Sequence, residues 1–173
     1  MLGRLNPTTG EVTEIDTRRK PYGIKVGQDN DLFVAFNGTN AIGRMNPESL
    51  AVTYYEIPDE KTRIRRLDID SDGHVWFVNS SLGKIGKLDV NTGTVEQWDS
   101  PSGPLSHPYS MTVINDIIWY NESGMRPDAL VRFDPATERF QSVQKIKDTL
   151  LDTDRRAVYD EDGVCFSVPS REI

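Results

Sequence analysis

Cysteine and histidine are almost missing from this sequence of 173 residues, which has one of the former and two of the latter. The single Cys165 excludes an internal disulfide bond and a zinc site built from several cysteines, and it leaves the cellular compartment open. Long apolar runs are missing too, since none approaches the roughly 20 residues of a membrane-spanning helix. Residues 1–10 lack the apolar segment of a signal peptide, although export of a longer parent chain stays open. We therefore expect no membrane partner.

Positive charge is in deficit. The 20 Lys and Arg residues are outnumbered by 27 Asp and Glu residues, which gives a formal net charge of -7. Because sequence-independent binding to DNA or RNA depends on excess basic residues, we expect no nucleic-acid partner. Hydrophobic residues make up only 36% of the chain. This low share is typical of a surface-rich all-β protein.

What the sequence does contain is a repeat. One predicted strand occurs in four copies: LGRLNP at 2–7, IGRMNP at 42–47, IGKLDV at 85–90 and LVRFDP at 130–135. Aromatic residues recur at intervals of 43, 43 and 47 positions, at Phe33, Trp76, Trp119 and Phe166. A period in the forties with several short alternating apolar runs is typical of the blade of a β-propeller. We predict an all-β propeller with almost no helix, in which Trp76 and Trp119 are mostly buried between blades.

Each full unit contains four predicted strands separated by turns rich in Asn, Asp, Gly and Pro. The units predict three blades at about residues 18–60, 61–103 and 104–148, with half-blades at 1–17 and about 153–173. These strands amount to about four blades. The half-blades could close a ring within one chain, the chain could be a piece of a larger propeller, or two copies could combine as a homo-oligomer. The sequence does not choose among these arrangements.

With these residues in view, the chain resembles the virginiamycin B lyase family, the streptogramin lyase-like propellers. The segment KPYGIKVGQDNDLFVAFNGTNAIGRMNP at 20–47 follows the family pattern of P-x-G-I, a G-x-D-G turn, W-F-x-E and then N-x-I-G-R-I. The resemblance covers nearly the whole chain. It implies a seven-bladed ring, of which this chain would form an incomplete part, just over half.

The resemblance also implies a reaction, an elimination that opens the ester of a cyclic depsipeptide antibiotic and needs Mg²⁺. In the family, metal-binding carboxylates and a general-base histidine lie on an acid-Pro-His motif and on a glutamate after a Trp-Phe pair. Here the motif aligns with His107-Pro108-Tyr109, and the glutamate aligns with Glu122 or Ser123. The catalytic candidates are therefore His107, Tyr109 and Glu122. No unit has an acid-Pro-His sequence, so the visible repeats lack the lyase machinery, and no metal ligands are assigned.

The geometry of these candidates follows from the turn between them. If Asn115 and Asp116 form a two-residue hairpin loop, Tyr109 lies opposite Glu122, and His107 lies just beyond the strand end. A histidine beside a carboxylate could act as a general base near neutral pH. The alternative is that Glu122 orders a loop and His107 is a surface residue. We predict that the two lie in one rim cluster without forming a competent lyase site.

Basic and aromatic residues recur just before the innermost predicted strand of each unit. They are Lys20, Tyr22, Arg63, Arg65, Arg66, His107, Tyr109, Arg155 and Arg156. In a propeller these positions lie around one rim of the central channel, and such a focus of positive charge favours a small anionic ligand or a carboxylate-bearing partner at the channel mouth. The alternative is that the arginines pair with nearby carboxylates and only hold the loops. Those carboxylates are Asp59, Glu60, Asp68, Asp152 and Asp154.

Two functions remain in competition. The first is a Mg²⁺-dependent carbon–oxygen lyase, which the resemblance alone implies. The second is a non-catalytic propeller that binds an anionic ligand or a protein partner on its rim. The fold decides neither, because propellers host many functions. The cofactor is unknown apart from the Mg²⁺ that the resemblance implies.

Overall fold

The computed structural model describes residues 1–17, 19–145, 156–159 and 165–168. These residues form sixteen β-strands and no helix, and hence no helix that could span a membrane. The strands make three four-stranded antiparallel sheets and two two-stranded sheets, each in chain order. The prediction of an all-β propeller with about four blades in an unclosed ring is confirmed.

The strands follow the repeat along the chain. The first half-blade consists of β1 (Leu2–Leu5) and β2 (Val12–Ile15). The first complete blade consists of β3 (Pro21–Val26), β4 (Leu32–Phe36), β5 (Ala41–Met45) and β6 (Val52–Glu56). The second consists of β7 (Ile64–Ile69), β8 (Val75–Asn79), β9 (Lys84–Leu88) and β10 (Val95–Asp99). The third consists of β11 (Pro108–Ile114), β12 (Ile117–Glu122), β13 (Ala129–Asp134) and β14 (Arg139–Lys145). The second half-blade consists of β15 (Arg156–Tyr159) and β16 (Cys165–Val168).

A side-chain oxygen holds the turn after the third strand of each unit. Asn46 Oδ1 accepts hydrogen bonds from the backbone N–H groups of Glu48 (3.0 Å) and Ser49 (2.9 Å). Three residues at the same repeat position accept equivalent bonds, namely Asn6, Asp89 and Asp134. Such a bond stabilises the chain reversal locally, which explains why Asn or Asp ends each copy of the repeated strand.

The core lies between successive blades. Phe33 of the first blade packs with Phe77 of the second, and Trp76 of the second packs with Phe133 of the third. Trp76 is fully buried, whereas Trp119 at the matching position of the third blade is only partly buried. By the repeat, Trp119 faces the second half-blade, and two strands cover less surface than a complete blade does.

Candidate functional site

The innermost strand of the third blade contains a β-bulge. The expected two-residue turn between β11 and β12 forms, with positive φ at both of its residues, and the pairing is regular as far as Met111. Beyond that point the register shifts by one residue, so that Pro108 lies opposite Glu122. The prediction that Tyr109 lies opposite Glu122 is therefore wrong, because the bulge inserts an extra residue into β11.

The same bulge occurs at the same repeat position in the first and second blades. The residues within the three bulges are Tyr22, Arg65 with Arg66, and Tyr109 with Ser110. A bulge bends its strand and re-aims a side chain out of the regular alternation. The bulges therefore explain why the basic and aromatic rim positions leave the sheets and meet.

Four of these residues form one cluster, which we call the Tyr–Arg cluster: Tyr22, Arg65, Arg66 and Tyr109. The hydroxyl groups of Tyr22 and Tyr109 share a hydrogen bond. The guanidinium carbon of Arg65 lies 5.0 Å from the centre of the Tyr22 ring and 5.5 Å from that of Tyr109. The corresponding distances for Arg66 are 5.1 Å and 5.9 Å. Both arginines thus lie within cation–π range of both rings.

Ion pairs do not neutralise this charge within the part of the chain that the structure describes. The rim cations without a carboxylate partner there are Lys20, Arg63, Arg65 and Arg66. Two of the carboxylates considered as partners pair elsewhere, since Asp59 binds Lys84 (3.5 Å) and Asp68 binds Lys25 (2.7 Å). Some of the predicted rim cations and carboxylates lie outside the described residues, namely Asp152, Asp154, Arg155 and the side chain of Arg156.

The arginines change the ionisation of the two tyrosines. Burial alone would raise the pKa of Tyr22, but the hydrogen bond with Tyr109 and the charges of Arg65 and Arg66 outweigh it, and the pKa falls below its ordinary value of 10.0. The pKa of Tyr109 is raised, because burial, the hydrogen bond with Tyr22 and the negative charge of an ionised Tyr22 all favour its neutral form. The pair therefore loses its first proton from Tyr22.

A cavity of about 730 Å³ opens beside the Tyr–Arg cluster. Its lining includes Lys61, Arg63, Arg65, Ser80, His107 and Tyr109. No carboxylate lies among the described residues that line it. The volume is within the range of about 300–1,000 Å³ that small-molecule sites occupy. In size and charge, the cavity suits a small anionic molecule.

His107 lines this cavity in a fixed orientation. Its Nδ1 lies 2.9 Å from the carbonyl oxygen of Ser80. Because a carbonyl only accepts hydrogen bonds, Nδ1 carries a proton, and the neutral imidazole has Nε2 as its acceptor. The carbonyl of His107 in turn accepts hydrogen bonds from the hydroxyl (2.9 Å) and the backbone N–H (3.2 Å) of Ser123.

Glu122 is not part of this cavity. Its side chain is fully buried, and its carboxylate accepts hydrogen bonds from the hydroxyl of Ser100 (2.6 Å) and from the hydroxyl (2.5 Å) and backbone N–H (3.1 Å) of Ser102. The hydroxyl hydrogen of Ser100 is used in the bond to Glu122, so Ser100 accepts a hydrogen bond from the hydroxyl of Tyr120 (2.7 Å). Burial raises the pKa of Tyr120. These bonds tie β12 to the connection between the second and third blades. They favour the interpretation in which Glu122 orders a loop.

The donor set at the aligned positions does not fit Mg²⁺. This ion prefers six oxygen ligands in near-octahedral geometry. Both oxygens of Glu122 already accept hydrogen bonds from serines, and His107 offers a nitrogen. The described residues contain no group of three or more His, Cys, Asp and Glu side chains that could hold a metal ion. No step of a reaction is therefore assigned to a metal here.

Sequence reasoning missed a polar contact that joins the three innermost strands. Asp68 on β7 is buried, and its carboxylate pairs with Lys25 of β3 (2.7 Å). It also accepts hydrogen bonds from the hydroxyl of Thr112 (3.1 Å) and the backbone N–H of Val113 (3.0 Å), both on β11. Lys25, Asp68 and Thr112 occupy the same position of three successive repeats, so an alignment of the repeats could have placed them on neighbouring strands. Its chemistry is a clamp between blades rather than a ligand site.

Known proteins resemble this chain in family and in fold. The model of the virginiamycin B lyase family matches residues 7–142. No curated protein matches the chain. The catalytically inactive virginiamycin B lyase from Staphylococcus aureus with quinupristin is 19% identical, with a TM-score of 0.75, and the match covers 96% of this chain and 62% of that chain.

Further solved structures agree with this likeness. The selenomethionine-substituted lyase from the same organism is 19% identical, with a TM-score of 0.78 and coverage of 99% of this chain and 63% of that chain. Hydrazine synthase from Kuenenia stuttgartiensis is 15% identical, with a TM-score of 0.70 and coverage of 87% and 42%. At these identities the likeness shows the propeller fold alone. The chain spans about three fifths of the length of the lyase structures that it matches.

Proposed function

Because this chain belongs to the virginiamycin B lyase family and its rim concentrates positive charge, we propose that it is a lyase-type propeller that binds a small anionic ligand at the channel mouth. The ligand class is a molecule with a carboxylate or phosphate group. The Tyr–Arg cluster and the adjoining cavity form the binding site. Because the chain spans about three fifths of the length of the matched lyases, ligand binding by the whole protein is part of the same proposal.

The observation that supports this proposal most strongly is the pair of adjacent arginines without a carboxylate partner among the described residues. The guanidinium carbons of Arg65 and Arg66 lie over tyrosine rings, 5.0 Å and 5.9 Å from the ring centres. The N–H donors of a guanidinium group form a planar fork that matches the oxygens of a carboxylate or phosphate. Side chains that are ordered before binding lose less entropy when the ligand arrives.

The local positive charge of the rim makes the site dependent on salt. A formal charge of -7 repels anions at long range, whereas the rim attracts them locally. Added salt screens an exposed cationic site over about 10 Å at 0.1 M ionic strength. We therefore expect the affinity for an anion to fall as the salt concentration rises.

Calorimetric titration with citrate and with inorganic phosphate at low salt tests the site. The double substitution Arg65→Ala with Arg66→Ala should weaken binding at least about tenfold, or about 1.4 kcal/mol. The matched control is Arg132→Ala, which removes an arginine stacked on Trp119 (5.8 Å) outside the cluster, and its binding should be unchanged. Equal binding by all three proteins, or no binding by the unsubstituted chain, contradicts the proposal.

A second candidate function is the carbon–oxygen lyase reaction that the family resemblance implies. His107 supports it, because its Nδ1–H bond to Ser80 leaves Nε2 able to accept a proton at the edge of a cavity. Two observations argue against it. The aligned base position holds Tyr109, whose raised pKa keeps it protonated near neutral pH, and Glu122 is occupied by serine donors.

Incubation with a type B streptogramin and Mg²⁺, followed by mass spectrometry, separates the two candidates. We expect no ring opening. Ring opening that His107→Ala abolishes, while the double arginine substitution retains it, would overturn the binding proposal and establish the lyase function. Ligand binding without turnover would support the proposal.

A further inference from the structure

The cavity beside the Tyr–Arg cluster contains two kinds of polar side chain, which come from different parts of the chain. The first kind is cationic and lies where the chain enters the second blade, at Lys61, Arg63 and Arg65. The second kind is uncharged and lies in the turns after β8 and β12 and just before β11, at Ser81, Ser123 and His107. Lysine and arginine side chains only donate hydrogen bonds. The capacity of the second kind therefore decides what the ligand needs besides its negative charge.

Ser81 has already used its hydroxyl hydrogen within the protein. Its Oγ lies 2.7 Å from the carbonyl oxygen of Lys61 and 3.2 Å from Oδ1 of Asn79. The amide of Asn79 has a fixed orientation, because its Oδ1 also accepts a hydrogen bond from the backbone N–H of Arg63 (3.1 Å). Both neighbours of Ser81 are thus acceptors, so its hydroxyl donates to them and only the lone pairs of Oγ remain for a ligand.

Ser123 and His107 are in the same state. The hydroxyl of Ser123 donates to the carbonyl of His107 (2.9 Å), and Nδ1 of His107 donates to the carbonyl of Ser80 (2.9 Å). Within the part of the chain that the structure describes, neither Ser123 Oγ nor His107 Nε2 accepts a hydrogen bond. Like Ser81 Oγ, these two atoms can therefore only accept from a ligand. We call the three atoms the acceptor set.

An anionic group alone does not satisfy the acceptor set. An ionised carboxylate or phosphate accepts hydrogen bonds but has no donor for these atoms, and a polar atom that loses water without a new partner costs free energy. An ammonium group would supply donors, but the cations of the cavity repel it. A hydroxyl group both donates and accepts, so it can bond to the acceptor set and to the cations.

Apolar side chains contribute little to the lining. Binding sites for drug-like molecules are lined mainly by hydrophobic and aromatic side chains. Among the described residues that line this cavity, Tyr109 is the only aromatic residue apart from His107, and Leu82 is the only one with a hydrocarbon side chain. The cavity therefore recognises its ligand mainly through charge and hydrogen bonds, which suits a strongly hydrated molecule.

We propose that the ligand is an anion with several hydroxyl groups, that is, a sugar phosphate or a sugar acid. This inference rests on the proposed function, since it places the negatively charged group at the Tyr–Arg cluster. The hydroxyl groups of the ligand donate to the acceptor set and accept from Lys61 and Arg63. His107 then has a binding role, in which Nε2 recognises a hydroxyl group of the ligand.

Calorimetric titration with two phosphate monoesters tests the ligand class. Glucose 6-phosphate and methyl phosphate carry the same charged group, and only the former has hydroxyl groups besides it. Glucose 6-phosphate should bind at least about tenfold more tightly, because it forms further hydrogen bonds with the acceptor set. Gluconate and acetate repeat the comparison for a carboxylate, so the two pairs distinguish a sugar phosphate from a sugar acid.

The outcomes separate this inference from the proposed function on which it rests. If both esters bind equally and the double substitution Arg65→Ala with Arg66→Ala weakens both, the inference is overturned and the proposed function stands. If neither pair of ligands binds, both are overturned. If N-acetylglycine gains as much over acetate as gluconate does, an amide donor is sufficient, and the inference is overturned.

Substitutions in the acceptor set test the assigned atoms. His107→Ala and Ser123→Ala should each reduce the ratio of the two ester affinities about two- to tenfold, which is the effect of one net hydrogen bond. Ser81→Ala, in another blade, gives the same readout if circular dichroism shows that either variant does not fold. The matched control is Ser49→Ala, whose exposed hydroxyl donates to Asn46 (3.2 Å) in the turn after β5, and its ratio should be unchanged. A ratio that survives the substitutions at all three positions overturns the proposal.

Discussion

Tyr22 on the first blade and Tyr109 on the third share a hydrogen bond, and Arg65 of the blade between them lies within cation–π range of both rings. The three residues come from three copies of one repeat position, and each lies in the β-bulge of its innermost strand. The bulges therefore turn a repeated sequence position into a single cluster. The cluster combines two cations with two phenols, and the ionisation of the phenols can be followed by ultraviolet absorbance.

The lowered pKa of Tyr22 predicts a tyrosine that ionises earlier than the others in an alkaline titration followed by ultraviolet absorbance. Tyr22→Phe should remove this first step. Arg66→Ala should move the step to higher pH, because a positive charge that favours the phenolate is lost. Tyr55→Phe is the control, since its hydroxyl donates to the carbonyl of Val90 (3.1 Å) away from the cluster. A first step that survives Tyr22→Phe would assign the ionisation to another residue.

The buried carboxylate of Glu122 predicts a stability effect. Glu122→Ala should lower the free energy of unfolding by about 3 kcal/mol, because the donors of Ser100 and Ser102 lose a charged acceptor in a buried place. Glu122→Gln should cost less, about 1–2 kcal/mol, since one oxygen still accepts. Urea unfolding measures both, with the exposed Glu138→Ala as the control. Unchanged stability together with lost ligand binding would show instead that Glu122 belongs to the binding site.

The repeat was sufficient to predict the fold but not the register of the innermost strands. Turn residues, aromatic spacing and the repeated third strand are local in sequence, so they predicted the strands and about four blades, whereas the incomplete ring was implied by the family resemblance. The bulge at Tyr109 has no such marker. The two-residue turn fixes the pairing of β11 and β12 only as far as Met111, and the shift that brings Pro108 opposite Glu122 depends on how the strand bends towards its neighbours.

The site was predictable in composition but not in contacts. The repeat marked Tyr22, Arg65 and Tyr109 as rim residues, because equivalent positions of a propeller face the same end of the channel. Their mutual contact depends on the angle between blades, which no short segment encodes. The position of Glu122 after the aromatic residues aligned it with the glutamate of the family pattern, whereas its burial depends on Ser100 and Ser102, which lie in the connection between the second and third blades.

The close approach of Gly86 to Phe77 predicts a penalty for any added side chain. A Cβ at Gly86 would lie 2.2 Å from Cζ of Phe77, whose ring is fully buried. Gly86→Ala should therefore lower the free energy of unfolding by about 1–3 kcal/mol, and adding Phe77→Leu should restore part of the loss. The matched control is Gly3→Ala, because a Cβ there would meet only Val12, at 3.9 Å. Equal losses at Gly86 and Gly3 would contradict this explanation.

The contact between Asp68 and Lys25 predicts unequal effects of removing its two partners. Asp68 is 6% exposed and accepts hydrogen bonds from Thr112 and from the backbone N–H of Val113. Asp68→Ala should cost about 2–3 kcal/mol, because it leaves buried donors of β11 without their acceptor. Lys25→Met should cost less than about 1 kcal/mol, because the Lys25 side chain is 47% exposed and water screens its charge.

Thermal and urea unfolding of the two single variants and the double variant measure this difference. The double variant should lose little more than Asp68→Ala alone, since the ion pair is absent from both. Comparable losses from both single substitutions would mean that the ion pair itself, rather than the hydrogen bonds to β11, holds the innermost strands together. Asp68 would then connect the first blade to the second more strongly than the second to the third.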